Sequence, residues 1–77
     1  MEKATVTATQ REVSYIQRYI NGEIGKMYKR IEVIYEKYKG QKTEDMYILY
    51  LNYFFADNYK ELFKYKKLIQ EDMKDNK

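Results

Sequence analysis

The uncharged run from Met46 to Ala56 constrains this chain more than any other stretch. It reads Met-Tyr-Ile-Leu-Tyr-Leu-Asn-Tyr-Phe-Phe-Ala and is interrupted only by Asn52. A helix that crosses a bilayer needs about 20 apolar residues, so this run is too short to span one. It is also too apolar all round for a surface helix with a single buried stripe. On a helix Tyr47, Tyr50 and Phe54 share one side, and Ile48, Leu51 and Phe55 share the adjacent side. A helix carrying both sets must bury two faces, one against its own chain and one against something else.

The rest of the composition narrows the choices. A chain of 77 residues makes one small domain with little core of its own. It has no cysteine and no histidine, which removes disulfides and the usual zinc and haem ligands together. Oligomerisation or very good helix packing is left to stabilise it. The absence of cysteine fits an intracellular protein, and Met1–Thr9 lacks the apolar core of a signal peptide, so the expectation is a soluble, cytoplasmic protein. With no proline and three glycines, little prevents long helices. A net charge of +3, from 15 basic and 12 acidic residues, is far from a polybasic signature.

Residues 1–8 are Ala/Thr-rich without apolar periodicity and read as a flexible tail, with short β pairing by Ala4–Thr9 as the alternative because Thr and Val favour strands, and residues 9–77 read as a single helical domain. Thr9-Gln10-Arg11-Glu12 is a capping box that starts a helix. From there Val13, Ile20, Met27 and Ile34 recur at sevens, interleaved with Ile24, Ile31 and Tyr38, with Gln17 as the one polar position. This is a coiled-coil-like seam, broadened by Tyr28 and Tyr35. Asn21-Gly22 is a turn signal, and Gly22 and Gly25 together cost about 2 kcal/mol of helix propensity. The seam nevertheless keeps its phase across them, which favours one continuous helix. Gly40 ends that helix, and Thr43 caps the next, with Glu44 and Asp45 in its first turn. The inner stripe of the second helix is Ile48, Leu51, Phe55, Tyr59 (or Asn58), Leu62, Tyr65, Ile69 and Met73.

The expected fold is therefore all-α: a long antiparallel helical hairpin over about 10–39 and 44–73 that dimerises into a four-helix bundle. The alternative is a three-helix bundle broken at Asn21-Gly22, whose first helix covers Tyr47, Tyr50 and Phe54.

Catalysis has little to work with. A single serine, Ser14, and no histidine or cysteine exclude the ordinary nucleophile–base pairs. The carboxylate pairs Glu32/Glu36 and Glu71/Asp72 sit among lysines on expected solvent faces. The chain is read as non-enzymatic, without cofactor, metal or small-molecule substrate. Tyr47, Tyr50, Tyr53 and Phe54 form the expected protein interface, because tyrosine buries ring area while its hydroxyl stays bonded or hydrated. The partners expected there are a second copy of the chain and a further, unidentified protein. Small helical proteins of this composition are often encoded by phages, viruses or plasmids and act by blocking a host factor, which gives a steric, regulatory role as the first functional reading.

The second reading is nucleic acid. Arg11, Tyr15, Arg18 and Tyr19 lie on the outward face of the first helix, and Lys26, Lys29 and Arg30 extend it. Arginine binds phosphate and tyrosine stacks on bases. In predicted shape the hairpin dimer resembles the Rop-type plasmid regulators, which bind paired RNA loops, though it shares no motif with them. A membrane role for the basic run Lys60, Lys64, Lys66 and Lys67 is the weakest reading, since Glu61, Glu71, Asp72 and Asp75 lie close by.

Overall fold

The computed structural model describes residues 5–23 and 26–75. Its helices are α1 (Gln10–Ile20), α2 (Lys26–Tyr38), α3 (Met46–Phe55) and α4 (Tyr59–Asp75), so the all-α class holds. The two long helices of the expected hairpin are each divided. A helix of 30 residues would extend about 45 Å, whereas the molecule measures 39 Å along its longest axis.

Local chemistry explains both breaks. At the end of α1 the Gly22 N–H donates to the Tyr19 carbonyl (3.0 Å) and the Glu23 N–H to the Arg18 carbonyl (3.1 Å). This pair of bonds satisfies two carbonyls that a helix end would otherwise leave open, and it needs a left-handed residue between them. Gly22 supplies it at φ 96°. The turn signal of Asn21-Gly22 therefore prevails over the seam's continuity, while Ile24 and Gly25, which carried the seam across, lie outside the described residues. The same motif ends α3: the Asp57 N–H donates to the Phe54 carbonyl (3.3 Å) and the Asn58 N–H to the Tyr53 carbonyl (3.0 Å). Asp57 takes the left-handed position at φ 61°. The sequence reading ran one helix through this point because apolar residues continue beyond it. The break turns Tyr59 and Asn58 outward instead.

The helix starts follow the sequence in one case and depart from it in another. The capping box at Thr9 forms as expected: the Glu12 N–H donates to Thr9 Oγ1 (3.2 Å) and the Thr9 N–H to Glu12 Oε1 (2.9 Å). At α3 the N-cap is Asp45, not Thr43, because Asp45 Oδ1 accepts the Tyr47 N–H at 3.0 Å. Its other oxygen accepts the Ala8 N–H at 2.8 Å. Thr43 instead donates its hydroxyl to the Val6 carbonyl (2.8 Å), and the Val6 N–H donates to the Lys42 carbonyl (3.0 Å). This isolated parallel bridge holds the described part of the N-terminal segment, Thr5–Ala8, against the α2–α3 connection and buries Ala8. Residues 1–4 of the expected tail lie outside the described residues.

Each helix packs on the next in the chain, and α4 packs on α1. The fully buried side chains are Ile16 from α1, Ile31 from α2, Ile48 and Leu51 from α3, and Ile69 from α4. Each large aliphatic side chain fully buried in this way contributes about 1.5–3 kcal/mol. In α2 the buried set Met27, Ile31, Ile34 and Tyr38 is the expected seam. In α1 the buried residues are Ile20, a seam position, and Ile16, which the seam had passed over in favour of Gln17. Gln17 is half-buried and donates its Nε2 to the Tyr47 hydroxyl at 3.3 Å.

Candidate functional site

Of the four residues expected to form a protein interface, the fold keeps Tyr50 and Phe54 stacked, 6.1 Å between centroids, and engages Tyr47 and Tyr53 elsewhere. Tyr47 and Tyr50 are buried in the chain's own core. The Tyr47 hydroxyl donates to the Asp72 carboxylate, a bond between α3 and α4 that takes Asp72 out of the solvated pair expected with Glu71. Burial first, and then the Asp72 carboxylate beside it, push the Tyr47 phenol up to about 12, against a smaller opposite effect of Gln17. Burial, with Tyr19 close by, pushes Tyr50 up to about 12 as well. Tyr53 lies half-buried and stacks on Tyr65, centroids 5.7 Å apart and rings nearly parallel at 9°. Phe54 is the one of the four that is both part-exposed and part of a larger aromatic surface.

That surface is built by three helices. Phe54 meets Tyr19 edge-on at 5.5 Å and Phe55 edge-on at 5.0 Å. Phe55 stacks on Tyr35 at 4.4 Å and tilts against Tyr28 at 6.4 Å, and Tyr28 in turn lies 6.4 Å from Tyr19. Offset and edge-on ring pairs of this kind each contribute about 0.5–1.5 kcal/mol beyond their area. None of the five rings is fully buried; Tyr28 is exposed, and Tyr19, Tyr35, Phe54 and Phe55 are half-buried. Sequence reasoning had each of these rings but placed them apart: Tyr19 on a basic stripe, Tyr28 and Tyr35 beside the seam, Phe55 in the inner stripe. The i, i+7 spacing of Tyr28 and Tyr35 was the signal that one side of α2 carries aromatic surface.

The basic stripe is also reshaped. Arg18 pairs with Glu23 at 3.1 Å, so its charge is compensated locally. Arg30 donates Nη1 to the Tyr15 hydroxyl at 3.2 Å and lays its guanidinium 4.9 Å from the Tyr15 ring centroid. Tyr15 is thus covered by arginine, and Tyr19 is engaged in the aromatic surface. Arg11 and Lys29 are exposed, and the side chain of Lys26 lies outside the described residues. Arg11, Tyr15, Arg30, Val33 and Ile34, with Glu12, line an open groove of about 210 Å³ between α1 and α2.

Glu12 is tied down within that groove. Lys37 Nζ lies 2.7 Å from its Oε2, and the Tyr38 hydroxyl donates to its Oε1 at 2.5 Å. Burial raises its carboxyl, but the bonds from Lys37, Tyr38 and the Thr9 N–H outweigh that and hold it at about 2. A second recess, about 330 Å³, is lined by Gln10, Val13, Ser14, Gln17, Tyr47 and Asp72, with Ala8. The titratable groups there, Tyr47 and Asp72, are bonded to each other. Among the described residues no three carboxylates converge to hold a metal ion, and no helix is long and apolar enough to cross a membrane.

Neither a known protein family nor a curated protein nor a solved structure matches the chain.

Proposed function

We propose that the protein is a non-enzymatic, cytoplasmic interaction protein that acts sterically, by laying its aromatic face against another polypeptide. The first occupant of that face is a second copy of the chain. One observation carries this reading: five rings from α1, α2 and α3 touch in series, yet none is fully buried. Aromatic rings gathered at a surface are what the centre of a protein interface is made of. A two-fold axis through such a patch lets it cover itself, so one kind of surface serves both copies. Polar residues border it, as an interface rim requires: Lys39 lies 5.8 Å from the Tyr35 ring centroid and pairs with Glu36 at 3.4 Å.

The test is light scattering coupled to size exclusion, from low micromolar to near-millimolar protein. The expected mass at the upper end is that of two chains. Tyr28→Lys, at the most exposed ring, is expected to give one chain at every concentration with unchanged far-ultraviolet circular dichroism. A wild-type chain that stays single throughout overturns the reading.

A further inference from the structure

Tyr59 and Phe63 are the aromatic side chains that the packing of α4 leaves out. They are 61% and 62% exposed, against a buried Ile69 on the same helix. Residues four apart lie on one face of a helix, about 6 Å from one another along its axis. At about 100° per residue, Lys60, Lys64, Lys67 and Lys74 fall on that same side of α4, and all four are exposed. Glu71 is the one acidic residue among them and the Asp57 carboxylate lies near the Tyr59 hydroxyl, so the face carries a net charge of +2, from four lysines less two carboxylates. Among the described residues the ion pairs are Arg18–Glu23, Lys37–Glu12 and Lys39–Glu36, and none uses a lysine of α4. That Asp57 carboxylate, in the turn before α4, raises the pKa of the Tyr59 hydroxyl.

We propose that this outer face of α4 binds single-stranded nucleic acid, with Tyr59 and Phe63 as stacking platforms for bases and Lys60, Lys64 and Lys67 against the phosphates. Exposed rings among cations are the means by which proteins hold single strands without reading sequence, because every base has a flat face and every nucleotide a charge. A duplex hides its base faces and offers the rings nothing to stack on. An anionic membrane fits less well. A helix lying in a membrane surface needs an apolar face along its length. The continuous apolar face of α4, formed by Leu62, Tyr65, Ile69 and Met73, is turned toward the core. Beyond Phe63 the exposed residues of α4 are lysines, Gln70 and Glu71, with Leu68 as the one large apolar side chain among them. This surface is separate from the aromatic face of α1, α2 and α3, and the two proposals fail independently.

The experiment is fluorescence anisotropy with a dye-labelled, mixed-sequence single-stranded DNA, its RNA counterpart and the matching duplex, beside flotation with phosphatidylserine/phosphatidylcholine vesicles. Binding of both single strands is expected at low salt, falling roughly twentyfold between about 50 and 200 mM for a site that neutralises about three phosphates. Replacing both rings, Tyr59→Ala with Phe63→Ala, is expected to weaken it by roughly tenfold or more while leaving the circular dichroism unchanged, since neither ring supports the core. Lys60→Glu with Lys67→Glu is expected to abolish it. Arg11→Ala with Arg30→Ala, in the groove between α1 and α2, is expected to leave it unchanged. Absence of binding at low salt overturns the proposal. So does equal binding of duplex, binding to vesicles but not strands, or binding lost in the Arg11/Arg30 variant and kept in the Tyr59/Phe63 variant.

Discussion

The α1–α2 half and the α3–α4 half of the molecule turn their chains by the same pair of backbone hydrogen bonds, but place different residues at the critical position. Gly22 takes it in the first half and Asp57 in the second. Each half is also tied between its two helices by a tyrosine hydroxyl that donates to a carboxylate. In the first the bond runs from Tyr38 on α2 to Glu12 on α1, and in the second from Tyr47 on α3 to Asp72 on α4. The first tie has reinforcements, since Glu12 also receives Lys37 and the Thr9 N–H. The second is supplemented only on the tyrosine oxygen, by Gln17. The first half thus has the less strained turn and the better satisfied carboxylate, whereas the second holds most of the fully buried core, in Ile48, Leu51 and Ile69. Two hairpins of one plan can be stabilised by different means, one by polar ties and one by apolar burial.

The largest test of that contrast is a core truncation in the second half. Leu51→Ala removes a fully buried side chain and should cost about 2–5 kcal/mol in urea denaturation. A cost under about 1 kcal/mol would mean that α3 is not the apolar centre of the molecule.

Next come the two turns. Gly22 has φ 96° and nothing within 4 Å of where a Cβ would stand, so Gly22→Ala should lose about 1–2 kcal/mol through backbone conformation alone. Asp57→Gly, at φ 61°, should move the other way. Relief of left-handed strain outweighs the added freedom of the unfolded chain, and the net gain is about 0.5 kcal/mol. Equal responses of the two sites in thermal melts would erase the difference between the turns.

The polar ties come last, with effects no larger than that of Gly22 and with a pH signature. Tyr47→Phe leaves the half-buried Asp72 without the tyrosine's bond and should cost about 1–2 kcal/mol. Tyr38→Phe should cost less, about 0.5–1 kcal/mol, because Glu12 keeps its other partners. Glu12, held at about 2 against an ordinary 4.5, contributes stability that is present above pH 4.5 and lost as pH falls toward 2. Tyr47 and Tyr50 sit at about 12 against an ordinary 10. Their proton is held more tightly in the folded chain, so their contribution is present below pH 10 and lost as pH rises toward 12. Amide exchange across these ranges should therefore show α1 and α2 loosening first in acid and α3 loosening first in alkali. The reverse order would sink the assignment of the ties.

The candidate surfaces were only partly legible in the sequence. Phe54 was expected at an interface and lies part-exposed in the aromatic surface, while Tyr47 and Tyr50, aromatic residues of the same run, are buried. Nothing in their spacing separates them. For Tyr47 the difference is Asp72, whose carboxylate gives its buried hydroxyl a partner from 25 residues away. Tyr59 is the converse case: its place in an apolar stripe argued for the core, and a single left-handed residue, Asp57, turned it outward.

What the sequence determined by itself was chemistry within a few residues. The helical class, the capping box from Thr9 to Glu12, the helix-ending Gly40 and the inward set Met27, Ile31, Ile34 and Tyr38 all depend on bonds or spacings inside one turn or one face. The tertiary structure decided whatever depends on a partner far along the chain. It bound Val6 to Thr43 and Ala8 to Asp45 across 37 residues, moved the cap of α3 to Asp45, and chose which aromatic rings of α3 are covered. The reason is energetic: a local bond forms wherever its few residues are found. A buried hydroxyl or a left-handed aspartate is tolerated only where distant groups satisfy the one and packing outweighs the strain of the other.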